Sequence, residues 1–115
     1  MSQMITAHDL LLAHVLVSNR LGRRAEVNDV RVLHDVVQQL RGNLAWLSQT
    51  EKAAYLGVQL VKKRPFAHSN NATAVALTMA FMGSSEDLEV GKVMNAIISS
   101  SVIDEVAIQL ESVRE

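Results

Sequence analysis

From Asn70 to Met82 the chain runs through Ala72, Ala74, Val75, Ala76, Leu77, Met79, Ala80 and Phe81 with almost no polar interruption. A helix that is apolar nearly all round has no face to give to water, so it belongs in the interior of its domain. The expected element covers about 70–82 and ends at Gly83. Whatever else the chain forms must pack around it.

The rest of the sequence supplies amphipathic helices for that purpose. Thr6 and Asp9 form a capping-box start, and Leu10, Leu11, Ala13, His14, Val17 and Leu21 recur at helical spacing up to Gly22. Arg23 to Val27 is a short polar connector. Asn28 or Asp29 caps a second helix carrying Val30, Leu33, Val36, Val37 and Leu40, which stops near Gly42. Asn43 to Leu47, a short link holding the only tryptophan, has no clear period. Ser48 and Glu51 open a third helix that runs to about Lys62. Pro65 disfavours helical geometry at Arg64 and ends it there. Beyond the central helix, Ser84 or Ser85 caps a fifth, with Leu88, Val90, Val93, Met94, Ile97 and Ile98. Ser101 with Asp104 opens a sixth, with Val102, Val106, Ile108, Leu110 and Val113.

The expected fold is therefore all-α, a compact bundle of about six helices forming one domain over 1–115. Composition agrees. Aromatic residues are only 3% of the chain, so the core must come from aliphatic side chains, and the single Pro and five Gly are too few for a turn-rich sandwich or barrel. A net charge of −1 predicts neither a nucleic-acid binder nor a membrane-surface protein, and Lys62-Lys63-Arg64 is a local basic patch rather than a basic face. There is no cysteine, which excludes disulfides and thiolate metal sites. With no apolar run of spanning length and no signal peptide, the expectation is a soluble cytoplasmic protein.

Chemistry is concentrated where the third helix gives way to the fourth, from Arg64 to Ala74. A polar loop entering a helix aims free backbone N–H groups at whatever lies in front of it, which suits an anion. Arg64, Ser69, Asn70, Asn71 and Thr73 are the candidate anion-binding residues, with Pro65 and Phe66 as helix stop and apolar plug. Arg64 also lies where it can pair with the third helix's dipole, and Asn70 and Thr73 where they can cap the fourth.

Pro65, Phe66, Asn70, Thr73 and Ala74 fall in register with the signature of the Fic/Doc family, roughly His-Pro-Phe-x-Asp/Glu-Gly/Ala-Asn-Lys/Gly-Arg-Thr-Ala, and the stretch resembles a degenerate copy of it. The Ile5-Thr6 opening, with Leu10 and His14 on the helix that follows, also resembles the death-on-curing toxins of that family. So do the length, the helix order and the closing Ser99–Leu110 region. The resemblance implies a helical bundle and a toxin–antitoxin or mobile-element origin. It also implies an ancestral transfer of phosphate or nucleoside monophosphate onto a protein hydroxyl, with elongation factor Tu as the target of the toxins.

The departures from the signature fall on its chemistry. The family's base position is Arg64, whose guanidinium stays protonated and cannot accept the hydroxyl proton. The acidic position that helps hold magnesium is His68, a poor match for a hard cation. The phosphate-clamping Arg position is Ala72, which removes bidentate contacts.

Three functions follow. The first is a Fic/Doc-like protein inactive as a transferase, a pseudoenzyme binding an antitoxin-like protein, its own copy or an anion, with no cofactor expected. The second is a working kinase- or AMPylase-type transferase in which His68 serves as base and Arg64 holds phosphate; only this one calls for ATP or another nucleotide with magnesium. The third is a plain helical interaction module.

No metal site is expected, because the histidines do not converge by spacing: His14 and His34 sit on different helices and His8 in a first turn. His14 is expected to pack, or to bond a backbone group, inside the bundle. Trp46 and Tyr55 are too few for a base-stacking platform. No nucleophile–base pair is readable from spacing.

Overall fold

Residues 5–81 and 103–114 are described by the computed structural model, the last helix with its side chains over 105–111. Regular structure among them is helical: α1 (Ala7–Arg20), α2 (Val30–Arg41), α3 (Gln49–Lys63), α4 (Asn70–Phe81) and α5 (Ile103–Arg114). One isolated antiparallel bridge joins Val27 to Phe66. The fifth helix expected over about 84–98, the Gly83 stop and the Ser101 cap lie outside the described residues.

Side-chain caps set several of the helix ends. Thr6 and Asp9 close a reciprocal capping box on α1, Ser48 and Glu51 close another on α3, and the Asp29 carboxylate accepts the Arg31 N–H at the start of α2. Each cap satisfies backbone donors that the first turn of a helix leaves without partners. Past α1, Gly22 takes φ +67, a left-handed conformation that costs glycine little.

α3 and α4 share the centre. α4 packs against α1 and α3, while α3 also packs against α2 and α5. One apolar cluster joins Leu10, Leu33, Leu56, Leu60, Phe66 and Leu77; a second joins Ala53, Ala54, Val58, Val75, Val106 and Leu110. Both helices feed both clusters. α4 is not sealed on every side, however: Ala80 is exposed and Met79 half-buried.

Four residues counted into apolar stripes face solvent instead. Leu11 lies one position off the buried Leu10–His14–Ser18 row, and Leu21 is the C-cap, where the chain has left helical dihedrals. Val30 is 53% exposed because, at the first position of α2, its side chain leans back beyond the packed turns. Ile108 is exposed on α5 between the buried Ala107 and Leu110. Trp46, in the turn between α2 and α3, is 76% exposed and takes no part in the core. Among the described residues no helix is long and apolar enough to cross a membrane.

Candidate functional site

The loop between α3 and α4 is bracketed by two left-handed residues. Arg64 has φ 48 and ψ 60, and Ser69 has φ 60. Pro65 keeps Arg64 out of the right-handed helical region, and the left-handed conformation Arg64 takes costs a non-glycine residue about 1–2 kcal/mol. The Arg64 N–H still bonds the Leu60 carbonyl at 3.1 Å, ending α3 cleanly.

Between those two residues the loop is clamped by the connector joining α1 to α2. The Pro65 carbonyl accepts the N–H groups of Asn28 (2.8 Å) and Asp29 (3.0 Å), and the Ala67 N–H donates to the Glu26 carbonyl at 3.0 Å. Further along, His68 Nε2 lies 2.6 Å from the Arg24 carbonyl. Residues 24–29 thus run alongside 65–68 as a short ribbon.

Beneath the ribbon sits a packed polar knot. Phe66 is 2% exposed, and its ring stacks on His14, centroids 4.0 Å apart and planes 9° from parallel. Asn70, also 2% exposed, folds its amide back on the loop: Oδ1 accepts the Phe66 N–H at 3.0 Å and Nδ2 donates to the Phe66 carbonyl at 2.9 Å. His14 is fully buried. Its Nε2 accepts the Glu26 N–H at 3.2 Å, which assigns the proton to Nδ1, and Nδ1 then donates to Thr73 Oγ1 at 3.3 Å. Burial holds the His14 imidazole below its ordinary range, and the neighbouring His68 ring adds to the depression.

His68 is half-buried, with both ring nitrogens engaged. A carbonyl can only accept, so Nε2 carries a proton toward Arg24, and Nδ1 meets Ser69 Oγ at 2.7 Å. Its ring centroid is 5.2 Å from that of His14. The two histidines converge although spacing gave no sign of it, because one stands in the middle of α1 and the other in the loop before α4. Among the described residues no set of three or more His, Asp or Glu is arranged to hold a metal ion.

Several expected roles change. Asn70 does not offer its amide outward; it spends it on Phe66. Thr73 turns its hydroxyl to His14 instead, Oγ1 accepting the hydrogen bond from Nδ1. The expected backbone bond of His14 is present, to Glu26. Arg64 and Asn71 are exposed and Ser69 is half-buried.

Two features escaped sequence reasoning. Adjacent residues normally point apart, so His68 and Ser69 did not read as a pair; the left-handed turn at Ser69 accompanies their contact. The Arg23-Arg24 pair read only as connector, yet the ribbon brings that connector alongside 65–68. Arg23, Arg24, Lys62, Lys63 and Arg64 are all exposed, and none has an ion-pair partner among the described residues. No protein-family model matches the chain, and no curated protein matches it in sequence.

Proposed function

We propose that the chain is a Fic/Doc-like protein that binds through its motif loop without transferring a group. Its ligand is an anion, or an acidic segment of a protein partner such as an antitoxin, received at the start of α4. The observation that carries this is a set of exposed cations without ion-pair partners among the described residues: Arg23 and Arg24 where one segment of the ribbon begins, Lys62, Lys63 and Arg64 leading into the other. Such a set attracts negative charge over about a Debye length of 10 Å at moderate salt. The first-turn N–H groups of α4 add partial positive charge of their own.

Transfer chemistry lacks its parts in this frame. At the position the family gives to a magnesium-holding carboxylate stands His68, its nitrogens taken up by Arg24 and Ser69. The residues present do not fit a magnesium ion, which prefers oxygen ligands. At the base position stands Arg64, which has no lone pair to accept a proton.

Calorimetry with inorganic phosphate, ADP and ATP tests the binding half. Weak association that falls with salt and with Arg64→Ala is the expected result; no heat with any of them, in low salt, refutes anion binding. Incubation with labelled ATP, magnesium and elongation factor Tu tests the other half. Label transfer that vanishes in His68→Ala would establish the alternative, an active transferase with rearranged residues.

A further inference from the structure

Ser69 and His68 form a contact that the binding role does not require. Ser69 Oγ lies 2.7 Å from His68 Nδ1, while His68 Nε2 is fixed on the Arg24 carbonyl at 2.6 Å. In the neutral ring this tautomer leaves the Nδ1 lone pair facing the serine hydroxyl, so the O–H donates to nitrogen. A hydroxyl bonded to a base, with that base oriented by a third group, is the arrangement that activates a serine. Here the third group is a backbone carbonyl. It keeps its bond whether the ring is neutral or protonated, since Nε2 is a donor in both forms.

Three further facts belong with the pair. Ser69 holds a left-handed φ of 60, a conformation that non-glycine residues keep only when their surroundings impose it. Its carbonyl accepts the Thr73 N–H at 2.9 Å, so Ser69 opens α4, and the first-turn N–H groups of Asn70, Asn71 and Ala72, without backbone partners among the described residues, follow it directly. Both His68 and Ser69 are half-buried rather than sealed.

We propose that Ser69 is a nucleophile, with His68 as its general base, that accepts acyl groups from activated esters. In the first step Ser69 Oγ forms a bond to the ester carbonyl carbon as its proton passes to His68 Nδ1. The carbonyl oxygen carries the resulting negative charge beside the start of α4. The bond from that carbon to the leaving alcohol oxygen then breaks, and the alcohol departs with the proton from Nδ1. An acyl-serine remains, and water, deprotonated by the same nitrogen, releases the acid and restores the hydroxyl. No metal or redox partner enters the balance. The inference stands apart from the anion-binding role and from the family resemblance.

The test uses p-nitrophenyl acetate with the whole chain, read by intact mass and peptide mapping. A single acetyl group on Ser69, absent in Ser69→Ala, is expected. In His68→Gln its rate of appearance should fall by about 100-fold, the lower end for loss of a general base. Acetylation confined to lysines or the N-terminus, or an equal rate on Ser69 in His68→Gln, overturns the proposal.

His68→Gln also loses the Arg24 contact and can lower stability, so a second measurement leaves His68 in place. The chain has no cysteine, and Ser69→Cys therefore carries a single thiol. Its thiolate absorbance and iodoacetamide alkylation, followed against pH, should place deprotonation well below the ordinary thiol value of about 8.5. A thiol that titrates at the ordinary value overturns the proposal whatever becomes of His68→Gln.

Discussion

Replacing Asn70 with alanine removes the group that closes the loop on itself. Two backbone atoms of Phe66, its N–H and its carbonyl, lose the partners that the Asn70 amide gives them at 3.0 and 2.9 Å. Both lie beside a side chain that is 2% exposed, so water does not replace the amide without opening the loop. A buried polar group left without a partner costs about 1–3 kcal/mol, and two together should cost about 2–4 kcal/mol after some relaxation. For a domain of this length each kcal/mol moves the melting midpoint by about 4 °C, giving a drop of about 8–16 °C. Urea titration and thermal melting, both followed by circular dichroism, measure it. Asn71→Ala is the control: that side chain is exposed, and its loss should stay within about 0.5 kcal/mol. If Asn70→Ala costs less than about 1 kcal/mol, the Phe66 groups have other partners and the loop is not held as described.

Three further outcomes are expected. Phe66→Ala, which empties the space under the ribbon and removes the ring stacked on His14, should cost about 3–5 kcal/mol in the same urea titration. Because His14 is held neutral in the fold, the unfolded chain takes up its proton first as pH falls below about 6.5. Its contribution to stability is thus complete above that value and declines with acidification until the folded ring titrates too; His14→Gln should flatten that part of the stability–pH curve. Ser18 buries a hydroxyl with no partner among the described residues, so Ser18→Ala should stabilise the chain by about 1 kcal/mol, visible as a raised melting midpoint.

How far the sequence could be read depended on the range of the interactions. The caps at Thr6, Asp29 and Ser48 were legible because a cap is decided within three or four residues, and so was the stop before Pro65. Stripe membership was legible in the middle of helices and failed at their edges, as Val30 and Leu21 show, since facing depends on where the neighbouring helix ends. In the loop, Phe66 could be read as a buried plug from its type alone. The partners of Asn70, Thr73 and His14 could not. They are fixed by the ribbon, which joins residues about forty positions apart, and by a left-handed turn that no side chain at 69 announces. The histidine pair is the clearest instance: one ring comes from α1 and the other from the loop, and only the fold brings them to 5.2 Å.

The ribbon between 24–29 and 65–68 has a consequence for how the molecule opens. It ties the connector of the first helical hairpin to the turn of the second, through bonds to Pro65, Ala67 and His68. Beyond the ribbon each segment is held by a side chain, Glu26 by His14 Nε2 and Phe66 by the Asn70 amide. The two turns therefore behave as a clasp, with one closing energy shared between them. A protease cut in the connector would loosen the loop some forty residues away and leave it to the Asn70 amide and the His14 ring. Whatever settles on the loop in turn slows hydrogen exchange at Asn28 and Asp29, at the head of a helix it does not touch.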